Sequence, residues 1–170
     1  MLALIHFFIE LCLLRKAPQD LPASGSLFGG TLVADLLVGL LLAVNAGYSL
    51  GAGVAQSLVD ISLMLALLYG GLRMLNRGAR FAQAATALLG SGALLGLVAL
   101  LPSSLIAAGG QSGQSSSAAW LFLLLVVWSV LVTGHILRHT FDILLGQGAA
   151  IAVAYNVLAY TLARGLFPGP

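Results

Sequence analysis

Long apolar runs separated by short polar breaks dominate this chain. Five of them, over residues 27–44, 52–75, 81–101, 120–145 and 149–167, are long enough to cross a hydrocarbon core of about 30 Å, which takes roughly 20 helical residues. Apolar and polar residues do not alternate within them as they would in barrel strands. A segment in lipid must satisfy its own backbone, so the runs predict transmembrane helices. Each has a plausible stop. Asn45-Ala46-Gly47 closes the first, Asn76-Arg77-Gly78 the second, Pro102 the third, Gly146 the fourth and Pro168 the fifth. Residues 109–117 are rich in Gly, Ser and Gln without periodicity, and predict a flexible loop.

The segment before the first run is different. Residues 1–14 are apolar but too short to span. Arg15 and Lys16 follow the apolar stretch, whereas a signal peptide carries its charge in front. As a helix, the segment puts His6 and Glu10 on one face among leucines and phenylalanines, which predicts a helix lying in the membrane interface. Pro18-Gln19-Asp20-Leu21-Pro22 then breaks it. The expected organisation is an interfacial helix and Pro-containing linker over residues 1–26, then a five-helix transmembrane domain over 27–170. The fold class is all-α polytopic membrane protein.

Composition narrows the function classes. Residues are 60% hydrophobic and 7% charged, where a soluble domain carries about 25% charged residues. A net charge of +2, clustered at hydrophobic borders, does not point to nucleic acid. Cys12 is the single cysteine, so an internal disulfide, a redox pair and a thiolate zinc site are excluded. Gly51-Ala52-Gly53 lacks the third glycine and the preceding strand of a dinucleotide fingerprint. Ser/His/Asp combinations can be assembled from the plentiful serines, but no nucleophile elbow is read among them. No catalytic residue, metal site or cofactor is expected, and the chain is not expected to be an enzyme.

The basic residues predict orientation. Arg15 and Lys16 precede the first crossing, Arg73, Arg77 and Arg80 lie between the second and third, and Arg138 lies at the fourth-to-fifth junction. Only Arg164 falls near the other side. The positive-inside bias then makes the N-terminal segment cytoplasmic and the C-terminus periplasmic, in a bacterial inner membrane.

Chemistry, if any, rests on buried polar side chains. Asp35 and Asp60 sit at similar depth on consecutive antiparallel helices, near mid-bilayer. Asn156 lies equally deep in the fifth run; His135 does so if the fourth helix reaches residue 145, and sits near the border if that helix ends at His139. Intramembrane ionisable groups are costly and often functional. One reading makes Asp35, Asp60, His135 and Asn156 a proton- or ion-handling layer. The other makes the aspartates neutral, hydrogen-bonded packing elements. No Lys or Arg shares their depth, so the two carboxylates are not expected to be ionised together.

A second cluster is His135, Arg138, His139 and Asp142, whose spacing forms one helical stripe. It reads either as a cytoplasmic mouth or switch, or as an anchor with Arg138 snorkelling and pairing with Asp142. A haem needs axial histidines on different helices, and His135 and His139 share one. Gly92 and Gly96, extended by Gly90 and Ser91, form a small face for close helix packing, inside the chain or across a dimer.

The Pro18-Gln19-Asp20-Leu21-Pro22 segment and the third-helix entry Arg80-Phe81-Ala82-Gln83-Ala84-Ala85-Thr86-Ala87-Leu88-Leu89-Gly90, with five crossings, resemble the bacterial members of the Yip1-like group of small multi-pass proteins. The resemblance implies a membrane-organising or trafficking-type adaptor without catalytic residues. Together these readings predict a non-enzymatic scaffold, accessory subunit or assembly factor acting through helix contacts. Its partners would be the bilayer and another membrane protein or a second copy of itself, and no nucleic acid. The alternative is a small proton- or ion-coupled transporter or channel component using the aspartates.

Overall fold

The computed structural model describes residues 2–108 and 114–167, with side chains over 4–108 and 117–167. These residues form six α-helices and no strand: α1 (Leu2–Cys12), α2 (Gly25–Asn45), α3 (Leu50–Met74), α4 (Phe81–Ala108), α5 (Gln114–Phe141) and α6 (Leu145–Leu166). Five of them, α2 to α6, are long and apolar enough to cross a membrane. The chain is an all-α polytopic membrane protein.

The five long helices stand in a ring. α2 lies beside α4, α4 beside α5 and α5 beside α6, while α3 packs on α2 and closes the ring with a light contact to α6. α4 is the most buried of the five, half buried along its span, whereas α6 is 6% buried. Its small residues explain this. Ala84, Ala85, Ala87 and Gly90 offer no bulk, so neighbours approach its backbone closely. On α5 and α6 the approach is closer still. A Cβ on Gly134 would stand 2.8 Å from the Ala149 nitrogen, and one on Gly148 would collide with the Gly134 carbonyl.

Six of the chain's seven basic residues gather at one end of the ring, called here the basic end. Three helices finish there in the same way. Leu14, Asn76 and Asp142 each adopt a positive φ, of 61°, 54° and 54°. The following amides of Arg15, Arg77 and Ile143 close back on the carbonyls of Glu10, Leu72 and Arg138. This is the Schellman closure, which satisfies the last carbonyls of α1, α3 and α5. Gly47, at φ 92°, closes α2 likewise at the opposite end.

Several boundaries differ from the expected ones. Pro102 does not stop the third crossing, because α4 continues to Ala108. Proline costs the helix one hydrogen bond, yet membrane helices tolerate it where hydroxyls and neighbours re-satisfy the backbone. Here Ser103 and Ser104 donate to the carbonyls of Leu100 and Leu101, and Pro102 is buried. The fourth crossing ends at Phe141 and not at 145, since Asp142 takes the left-handed position, and Gly146 lies inside α6. Of the loop expected over 109–117, residues 114–117 begin α5 and residues 109–113 lie outside the described residues.

The N-terminal helix is also more embedded than an interfacial helix resting on lipid. Phe8, Leu11 and Cys12 are buried, in one core with Leu68, Leu72, Leu88, Val132 and Ile136. The Phe8 ring covers Gly90, about 14 Å along α4 from its start at 1.5 Å per residue. The Trp128 indole donates to the Cys12 carbonyl (3.1 Å) and His135 Nε2 to the Lys16 carbonyl (3.0 Å). His6 stays exposed and stands 3.5 Å from Glu10 on the outer face.

Candidate functional site: a carboxylate layer between two cavities

Asp35 occupies the midpoint of α2, and Asp60 lies within a turn of the midpoint of α3. Helix packing brings them to one level. α2 and α4 run parallel, so Asp35 falls against Gly92, Val38 against Gly96, and Asn45 reaches Ser103 at 2.9 Å. α2 and α3 run antiparallel and meet where Gly39 abuts Ser57 and Gly53 abuts Leu40 and Ala43. Asn156 and Tyr155 sit at the midpoint of α6, facing the same level. The Tyr155 hydroxyl donates to Asp60 Oδ1 at 2.6 Å, bridging the lightly packed seam between α3 and α6.

Two cavities meet at this level. One, of about 510 Å³, runs from the aspartates toward the end opposite the basic one, past Ser57 and Gln56 to Tyr48 and Phe167. The other, of about 310 Å³, lies among α3, α4, α5 and α6, with apolar walls that include Met64, Leu88, Leu95 and Phe122. Asp35, Asp60, Gly92, Gly96 and Asn156 line both. No Lys, Arg or His is among the described lining residues. Asp60 and Asn156 remain exposed although they sit at mid-helix. A carboxylate centred in a membrane helix costs about 2.5–3.5 kcal/mol or more if nothing compensates it. The Tyr155 hydroxyl supplies one such compensation for Asp60.

Glycine at 92 and 96 is what makes the level possible. A Cβ on Gly92 would stand 2.9 Å from the Asp35 carboxylate, and one on Gly96 would stand 2.6 Å from Val38. The small face is therefore used within the chain, by α2. Gln56 adds an unmatched acceptor, because its Oε1 is buried without a hydrogen-bond partner. The Asn156 amide nitrogen donates one of its two hydrogens to the Ala152 carbonyl.

His135 does not join this layer. It lies toward the basic end, tied to Lys16, with the His139 ring 4.4 Å away and His139 Nδ1 donating to its carbonyl. The expected stripe is also divided. Asp142 lies beyond the helix and pairs with Arg77 and Arg80 from the α3–α4 connection, not with Arg138, which is exposed. Arg80 also donates to the carbonyls of His139 and Thr140. Gln19 donates to the His139 carbonyl and Gln83 to the Leu21 carbonyl. These residues lace the linker, the α3–α4 turn and the α5–α6 turn together, which is a structural role. They join both segments quoted above for the family resemblance.

Two residues escaped the sequence reading. Tyr155 had a signal, since a tyrosine at mid-span needs a partner for its hydroxyl. The other is Ser49. Gly47-Tyr48-Ser49-Leu50-Gly51 does match G-x-S-x-G, contrary to the reading of no elbow. The match joins helix to helix, not strand to helix, and Ser49 caps α3 by accepting from the Ala52 amide. No histidine stands at that end, so the serine has no base. Comparison with protein families, with curated proteins and with solved structures finds no match for this chain.

Proposed function

We propose that this protein is a small proton- or ion-coupled transporter or channel component whose working site is the Asp35/Asp60 layer. One observation carries this reading: both carboxylates line both cavities at mid-span, in a wall without a countercharge. Carboxylates kept only for packing would be enclosed by neighbouring side chains, whereas Asp60 is exposed at mid-helix. A second reading, a non-enzymatic scaffold or accessory subunit, is favoured by the outer face of α6, where Val153 and Val157 are exposed and line neither cavity. The clustering of basic residues at one end supports a bacterial inner-membrane placement with the N-terminus cytoplasmic. The Yip1-like relationship is a proposal resting on two short segments that hydrogen-bond to each other.

The test is flux. Protein reconstituted in liposomes under an imposed potential should conduct protons or monovalent cations above the protein-free leak. Asp35→Asn and Asp60→Asn keep shape and hydrogen bonding but cannot titrate, so they should assemble normally and lose the flux. Equal flux from wild type and both variants would count for the scaffold.

A further inference from the structure

We propose that the chamber binds an amphipathic cation, an ammonium group attached to a compact apolar body, taken up from the bilayer at the α3–α6 seam. The inference rests on the reading of the carboxylate layer as a working site and names what that site holds. The polar groups are complementary to donors. Asp35 and Asp60 present carboxylate oxygens, and Gln56 Oε1 is buried without a partner. An anion at this level would meet two carboxylates and no Lys, Arg or His among the described lining residues.

The walls specify the rest of the molecule. The second cavity begins at the same carboxylates and is lined by Met64, Leu88, Leu95, Leu125 and Phe122. These walls offer an apolar body the surroundings it had in lipid, while the carboxylates hold its ammonium group. Volumes of about 310 and 510 Å³ lie in the range that holds small organic ligands. A bare metal ion would leave these walls unused, and it would need several oxygen ligands around it.

The route is set by exposure. Asp60 and Asn156 are exposed at mid-helix because α3 and α6 touch only lightly, and the Tyr155–Asp60 hydrogen bond spans that gap. An ammonium group reaching Asp60 would compete with the Tyr155 hydroxyl for the carboxylate, loosening the seam as the ligand enters. The neutral amine form of such a ligand reaches this depth through the lipid, and a protonated aspartate there gives it the proton that makes it an ammonium ion, leaving a carboxylate to hold it.

Three probes with one apolar body separate charge from shape: 1-adamantylammonium, 1-adamantanol and 1-adamantanecarboxylate. Calorimetric titration of the purified protein in micelles, against empty micelles, should show binding of the ammonium compound. The alcohol should bind at least tenfold more weakly, a difference of about 1.4 kcal/mol, and the carboxylate not at all. Asp60→Asn and Asp35→Asn should remove the preference with unchanged thermal unfolding. Equal binding of all three heads to wild type, or none, overturns the proposal without any variant. Proton flux that persists without ammonium binding overturns the ligand class alone. Ammonium binding without flux supports the site and overturns the transport reading.

Discussion

Tyr155 and Asp60 show how much one residue can decide at mid-membrane. A phenol and a carboxylate that would each be costly alone satisfy one another across 2.6 Å and tie two helices that otherwise barely meet. The aspartates and Asn156 were legible from sequence, because their depth follows from counting residues along an apolar run. Tyr155 was not read, since a tyrosine in a membrane protein is more often met at the interface. The depth of His135 stayed open because it depended on where α5 ends. That end is set by the Arg77 and Arg80 contacts to Asp142, which come from a distant part of the chain. Glycines give a residue-scale test. Gly134→Ala places a Cβ 2.8 Å from the Ala149 nitrogen, against backbone that cannot rotate away. It should cost about 1–3 kcal/mol in unfolding assays. Gly70→Ala meets nothing within 4 Å and should stay within about 0.5 kcal/mol of wild type. Equal effects at the two positions would mean that α5 and α6 do not cross where Gly134 meets Gly148.

At the scale of elements, the five crossings were readable because lipid imposes both length and apolarity on a helix. What escaped were features set by tertiary contact. Pro102 looks like a stop until Ser103 and Ser104 are seen to serve the carbonyls around it. The amphipathic pattern of α1 marks it correctly as too short to span. It cannot reveal that Phe8 finds a glycine-shaped seat on α4. Docking of α1 has a chemical consequence at Cys12. Burial pushes its thiol up to about 11, from an ordinary value near 9.0. Less thiolate is then present at any pH below that value, and reaction with iodoacetamide falls accordingly. At pH 8 Cys12 of the folded protein should alkylate at least about tenfold more slowly than the same residue in denaturing detergent. Labelling at the same rate in both states would show α1 to be undocked.

The whole molecule is a ring sealed unevenly. At the basic end α1, the linker and the arginine-laced turns fill the space between helices, and the main hydrophobic core lies there. Toward the other end, among the described residues, the larger cavity leads from Asp35 and Asp60 to Tyr48 and Phe167. Such asymmetry could not be read from hydropathy, because a wall facing a cavity and a wall facing lipid have the same composition. Two positions on α6, two residues apart, separate them directly. Ala159 lines the larger cavity, whereas Val157 is 58% exposed and lines neither. In a Cys12→Ser background, Ala159→Cys and Val157→Cys should be treated in intact cells with a charged, membrane-impermeant methanethiosulfonate. A water-accessible chamber opening on the periplasmic side predicts rapid modification of Cys at 159 and protection at 157. Protection at both positions, or modification of 159 only from the cytoplasmic side of inverted vesicles, would contradict it.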